Sequence, residues 1–253
     1  MLKSIIYQSI VLLGIIALWQ VLAIMHIFPP VLFPSPYDVL KKGIELLGNG
    51  KLEINTAYTL YRLMEGFIIG AVVGILLGAF MAAGKIGEYI LLTPLSFLMP
   101  IPSVAWVPFF LLWFGLGSKT IIILVVFTAI LPIAFNTWSG LKTVDRAYLR
   151  AGQAFGAKGI SLFFNVTLPA SLPFLLTGLR LGFSRAWRAV VAGEMLAATS
   201  YGLGYIIYSA REFLSTDVMA VALIIIGIIG IVTEKIIFAK IEDITVRRWG
   251  MIT

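Results

Sequence analysis

Cysteine is absent from this sequence, and histidine occurs once, as His26. Without cysteine there are no disulfide staples, no thiol catalysis and no thiolate metal sites, and redox compartment leaves no trace. One histidine makes no His-rich metal cluster, and His26, close to the end of an apolar run, reads as an interfacial residue rather than a ligand. Charge is scarce as well: 12% of the 253 residues are Asp, Glu, Lys or Arg, against about 25% in soluble domains. A soluble chain with 60% hydrophobic residues would carry more apolar surface than its own interior can bury. A phosphate-cradling loop is also missing. The nearest segment, Gly115-Leu116-Gly117-Ser118-Lys119-Thr120, lacks the glycine just before the lysine that lets backbone N–H groups wrap phosphate. It reads as a tight loop between two apolar runs, so ATP hydrolysis is not expected on this chain.

What is present is a series of long uncharged runs. No charged residue occurs at 4–37, 66–84, 89–118, 120–141 or 218–233. A span needs roughly 20 apolar residues, and backbone in lipid must satisfy itself as helices or a closed barrel. The runs are continuous rather than alternating, which excludes the barrel. The sequence therefore predicts an all-α integral membrane protein with about six spans, at 5–26, 62–83, 88–114, 119–140, 171–197 and 217–239. The first run is too long for a signal-peptide core of about 7–15 residues, and no small-residue cleavage pattern follows it. The whole chain, 1–253, reads as a single transmembrane domain.

Basic residues set the orientation. With six spans, Lys3, Lys85, Lys142, Arg146, Arg150, Lys158, Lys235, Lys240, Arg247 and Arg248 fall on one side, and Lys41, Lys42, Lys51, Lys119 and Arg211 on the other. The richer side is expected to be cytoplasmic, which puts both termini inside and makes the net charge of +7 a membrane feature. No nucleic-acid partner is needed to explain it.

Three regions break the apolar monotony. The connection 29–61 contains the stiff Phe33-Pro34-Ser35-Pro36, then a short amphipathic helix at 38–47 stopped by Gly48-Asn49-Gly50. Pro94, Pro100, Pro102 and Pro108 interrupt the third span. They predict a break near Pro100-Ile101-Pro102, of the kind tolerated where backbone lines a cavity or packs in protein. The loop 141–169 is too polar to span. It predicts a surface helix at 146–155 behind Asp145, a break at Gly156, and a second short helix at 159–167 stopping at Leu168-Pro169.

The fifth span carries Arg180, Arg185, Arg188 and Glu194. A charge at mid-bilayer costs about 2.5–3.5 kcal/mol and marks a pathway or a buried pairing. At about 100° per residue, Arg180 and Arg188 lie apart and Arg185 off both, so the three cannot all face one pore. Arg180 reads as a residue near the inner interface, snorkelling there. Arg188 and Glu194, with Pro100, Pro102 and Trp106, are candidates for a translocation path or gate; six residues apart on one helix, Arg188 and Glu194 are poor direct partners. Gly178, Gly182 and Ala186 repeat every four residues and predict close helix packing, either within one chain or between two copies.

The inside loop resembles a known motif. Arg150-Ala151-Gly152-Gln153-Ala154-Phe155-Gly156, nine residues, then Val166-Thr167-Leu168-Pro169 is similar to the E-A-A-x3-G-x9-I-x-L-P loop of ABC importer permeases. Gly156, Leu168, Pro169 and Ala151 match, Val166 stands for isoleucine, Arg150 replaces the glutamate, and Gly152 the second alanine. Pro100-Ile101-Pro102, Trp106-Val107-Pro108, Trp113-Phe114-Gly115-Leu116-Gly117, Thr177-Gly178-Leu179-Arg180, Ala186-Trp187, Glu194-Met195-Leu196 and Gly202-Leu203-Gly204 extend the likeness over roughly 55–250. They resemble the subgroup importing nitrate, aliphatic sulfonates, taurine or bicarbonate.

The resemblance implies a type I importer permease fold with cytoplasmic coupling helices. It implies two ATPase subunits holding ATP and magnesium and docking on residues 150–156 and 168–169. A second permease copy, a homodimer by expectation, and an extracytoplasmic solute-binding protein delivering a small anion complete the assembly. An ion-gradient transporter would instead show inverted repeats with paired broken helices, which the sequence lacks. A membrane enzyme would need a cluster of acid, base and nucleophile at the membrane face, also lacking.

Overall fold

The computed structural model describes residues 2–247. Arg248, counted above among the inside charges, lies outside the described residues. Among them every regular element is helical.

Helix α1 (Leu2–Ile24) leads through a proline-rich turn to α2 (Pro36–Gly48). A capping box starts α2: the Asp38 N–H donates to Ser35 Oγ at 3.2 Å, and the Ser35 N–H to Asp38 Oδ2 at 3.2 Å. Helix α3 (Lys51–Ala83) begins well before the expected start at 62. Asn49 Oδ1 accepts the Lys51 N–H at 3.1 Å, so the polar half of the long connection is already helix. Helix α4 (Lys85–Leu98) and, after a 3₁₀ turn at Ser103–Trp106, α5 (Val107–Phe114) form one expected span. They are bent by 94° at the proline pair foreseen as a break. Helix α6 (Ser118–Lys142), the short α7 (Arg146–Ala154), α8 (Gly159–Ala197), α9 (Leu203–Glu212) and α10 (Thr216–Thr245) follow.

Four helices, α3, α6, α8 and α10, are long and apolar enough to cross a bilayer, and the bent pair counts as a fifth. Helix α1, apolar over Ile10–Ile24, is the sixth apolar segment and packs least.

One expectation fails locally. The second loop helix does not stop at Leu168-Pro169; it continues as α8 for 39 residues. Proline lacks an N–H, which breaks a regular ladder. Here the turn at Phe163–Thr167 widens to π geometry, with the Leu168 N–H reaching Phe163 O, and the rod passes through the proline without ending.

Helix α6 is the axis of the fold, clasped by α3 and α8. On α3, Gly66, Gly70, Gly74 and Gly78 recur every four residues. A Cβ on them would come within 2.7, 2.9, 2.9 and 2.5 Å of Val125, Ala129, Ile133 and the Ala134 carbonyl. On α8, a Cβ at Gly182 would lie 2.8 Å from Ile133, and one at Gly178 2.8 Å from Asn136. Ala186 is fully buried. The Gly178–Gly182–Ala186 stripe therefore packs on α6 of its own chain, and the between-copies alternative falls away. Lipid tails are as apolar as leucine, so it is close backbone contact through small residues that holds such helices together.

Gly70→Leu and Gly182→Leu are expected to destabilise the detergent-solubilised protein by about 1–3 kcal/mol or more through overpacking. Gly227→Leu, which opens onto free space, should leave the thermal unfolding midpoint unchanged.

Candidate functional site

Three features concentrate the chemistry: an exposed elbow, a basic cleft and a buried polar latch.

At the elbow, Asp145 Oδ1 accepts the Ala147 N–H at 2.8 Å and caps α7. The helix closes with the Gly156 N–H on Gln153 O at 2.9 Å and the Ala157 N–H on Gly152 O at 3.0 Å. Gly156 sits at φ +86°, the left-handed position that this closure requires. Arg150, Ala151, Ala154, Phe155 and Gly156 are all exposed, Phe155 at 93%. Gly152 faces the other way: a Cβ there would lie 2.7 Å from Val166 and 3.0 Å from Leu162. Its smallness lets α7 approach its own chain, not a partner, which corrects the expectation. Leu168 and Pro169 are half-buried where the loop joins α8.

The cleft lies where the 94° bend folds Pro100-Ile101-Pro102 against α6 and α8. It is an open cleft of about 420 Å³, with Pro100, Pro102, Thr128, Arg185 and Arg188 on its wall. Arg185 and Arg188 share this wall, against the expectation that 185 lies off both other arginines: three residues apart, they are about 60° apart on the helix. Arg180 points elsewhere, to Glu234 at 2.9 Å and Glu242 at 3.4 Å on α10. Trp106 stands behind the wall, its ring centroid 5.4 Å from that of Phe127 and 6.3 Å from that of Phe110. Its place is that of an aromatic support.

Glu194 is not in the cleft either. It is 1% exposed at the far end of α8, and Arg62, 2% exposed, meets it from α3. Arg62 Nη1 donates to Glu194 Oε1 at 2.8 Å and to Tyr201 O at 2.6 Å, while Nε donates to Ser118 Oγ at 3.0 Å. Glu194 Oε2 accepts from Thr59 Oγ1 at 2.9 Å and from the Gly204 N–H at 3.0 Å. Thr59 also accepts the Leu203 N–H at 2.8 Å, and Asn55 Oδ1 the Gly202 N–H at 2.7 Å. The Gly202, Leu203 and Gly204 amides at the start of α9 thus find acceptors on α3 and Glu194, and a carboxylate sits at that helix's N-terminus. Gly202, at φ +144°, has no room for a side chain: a Cβ would lie 2.5 Å from the Glu194 carboxyl carbon.

Residues 70–242 match the family described as "Binding-protein-dependent transport system inner membrane component". The chain belongs to this family of transporter permeases. A putative ABC transporter permease of Methanocaldococcus jannaschii is 39% identical over 224 residues, 87% of this chain and 84% of that protein. A putative aliphatic sulfonates transport permease of Escherichia coli is 33% identical over 217 residues, 86% of this chain and 82% of that one. An inward-facing structure of the MetNI methionine ABC transporter superposes with a TM-score of 0.54 at 23% identity, over 78% of this chain and 96% of that one, which shows the fold. The chain is a permease subunit of an ABC importer and not itself an enzyme.

Of the permease's candidate residues, the fold brings Pro100, Pro102 and Arg188 together, and separates Trp106 and Glu194 from them. Sequence reasoning missed Arg62, Asn55 and Thr59. Their signal was there: polar residues at 55, 59 and 62 recur with helical spacing on one face. It went unread because α3 was started at 62.

Arg62→Met is expected to cost the permease about 3–5 kcal/mol, since Glu194 is left as an uncompensated buried charge. Thr59→Val should cost about 1–3 kcal/mol. Denaturant unfolding measures both, and hydrogen exchange at the α9 amides should speed up in each.

Proposed function

We propose that this permease is one half of a pore for a small oxyanion, driven by ATPase subunits that dock on the α7 elbow. The exposed elbow carries the reading. Phe155 stands almost fully in solvent on a tightly closed turn, flanked by exposed Ala151 and Ala154. An apolar knob held this rigidly is suited to a pocket on another protein. Arg150, where the family motif has an acid, is also exposed and adds positive charge to the same surface. Gly152, Leu168 and Pro169 serve the elbow from behind by setting its angle to α8.

The mechanics follow from α8. A 39-residue helix is about 58 Å long, and this one runs unbroken from the elbow past Arg185 and Arg188 to Glu194. A push at the elbow is therefore delivered to the cleft by one rod. ATP and magnesium belong to the docked subunits, whose closing would draw two elbows together. A second copy of this chain completes the pore, and a solute-binding protein delivers substrate at the latch end. Lys85, Lys142, Arg146, Arg150 and Lys158 gather at the elbow end, so that end, with both termini, is cytoplasmic. An anionic substrate fits both the sulfonate relative and the two arginines of the cleft. The gradient-driven alternative calls for paired broken helices; among the described residues one bent pair occurs.

Phe155→Ala, Ala151→Glu and Gly156→Asp should each weaken co-purification with the ATPase at least about tenfold, the loss expected for a central apolar anchor. Membrane insertion holds in all three, and the thermal midpoint holds in Phe155→Ala and Ala151→Glu but falls in Gly156→Asp, which strains the φ +86° turn. An undiminished complex in all three would sink the docking assignment.

A further inference from the structure

We infer that Arg185 and Arg188 form a station for the transported oxyanion part-way along the permease, with the Pro100–Val104 elbow of the bent pair as its opposite wall. The inference rests on the permease reading above and names where the solute is held.

The charges in the helical bundle divide by what they meet. Arg62 is buried against Glu194, and Arg180 lies between Glu234 and Glu242. Arg185 makes no hydrogen bond or ion pair among the described residues. Arg188 meets only its own helix, donating to Ser184 O at 3.1 Å and Ser184 Oγ at 3.4 Å. Neither has an acid partner, though both sit on an apolar helix at membrane depth, where an unpaired charge is retained for a pathway.

Their surroundings suit an anion. The cleft holds about 420 Å³, enough for a small oxyanion with several waters. Ser103, whose hydroxyl has no partner among the described residues, also faces it. Planar guanidinium groups bind oxyanions through paired N–H donors. Arg188 also borders a second concavity of about 360 Å³ between α8 and α10, lined by Trp187, Gly230, Lys235 and Glu234, the last already paired with Arg180. It stands between two spaces, so an anion held there can be passed from one to the other. The cavity of about 630 Å³ at the opposite end, by α2, offers no such site. Its lysines lie among Asp38, Glu45 and Asp217, with Lys42 and Glu45 paired at 2.8 Å.

The test uses the complete transporter in proteoliposomes, with labelled ethanesulfonate as probe and ATP inside or absent. Arg185→Gln and Arg188→Gln should lower kcat/KM for uptake about 10- to 100-fold, as expected for losing a charge-assisted contact. ATPase co-purification and the thermal midpoint should stay unchanged, Arg188→Lys should recover part of the rate, and Arg180→Gln should stay within about threefold of wild type, having no contact with the cleft. Uptake unaffected by both glutamine variants overturns the station. Two other occupants would overturn it too. If a lipid headgroup fills the cleft, wild-type uptake will need phosphatidylglycerol in the vesicle and the arginine variants will lose that need. If an acid of the second copy fills it, Arg188→Glu will be rescued by Glu65→Arg; Glu65 is half-buried on α3, with one carboxylate oxygen unpartnered. Wild-type uptake that ignores ATP, or no wild-type uptake, would instead count against the permease reading.

Discussion

A guanidinium and a carboxylate buried together, Arg62 on α3 and Glu194 on α8, tie the bundle at one end. Removing two charges from water is costly, and their attraction offsets that only when the remaining donors and acceptors are also met. Here they are: Ser118, Tyr201, Thr59 and the amide of Gly204 complete the set. Because these partners come from α3, α6, α8 and the start of α9, no one of these helices can slide without breaking a charged contact. Gly202 and Gly204 are small for the same reason, since any side chain would strike Glu194 or the backbone before it.

Away from the latch, polar contacts between the long helices are few, and packing takes over. Four glycines of α3 and two of α8 let both helices press on α6 closely enough that Ile133 touches each. In lipid there is no water to expel from between helices, so the energy comes from such contact. The result is a stiff three-helix unit with one free arm, the start of α8, projecting from its base. Stiffness matters to the proposed function because a lever that bends would not carry motion from the elbow to the cleft.

How much of this was legible in the sequence depends on the range of the interactions. Local chemistry read through well: the α2 helix after Pro36, the break at Pro100-Ile101-Pro102, the Asp145 cap and the Gly156 turn all depend on residues a few positions apart. The end of the loop helix was misread because a proline normally stops a helix, and only the tertiary fold decides whether a π turn will carry the chain past it. The four-residue glycine repeat of α3 was visible, yet nothing in α3 itself names α6 as its partner. Glu194 was recognised as significant, but its role depended on Arg62, 132 positions away, and no spacing rule connects them. The shared face of Arg185 and Arg188 was within reach of helical geometry alone; its meaning was not, because it depends on where the bent pair comes to rest.

The arginines of the bundle show how one residue type can be sorted into three roles by its surroundings. Arg62 is enclosed and matched, so its charge is structural. Arg180 lies near the elbow end with two glutamates of α10, each pairing about 40% exposed, and such wet pairs contribute little to stability. Arg185 and Arg188 have no acid partner; Arg185 is half-buried and Arg188 exposed on the cleft wall. A fold able to meet Arg62 with a carboxylate and two further acceptors could have supplied an acid to these two as well. Leaving them open keeps a positive potential inside the cleft, where low-dielectric walls raise its effect on a passing anion. A permanent internal acid would cancel that potential and hold the arginines to the wall; a transient solute neutralises them only while it passes. Weak, repeated occupancy of this kind is what conduction through a narrow path requires, since an ion must be held well enough to enter and loosely enough to leave.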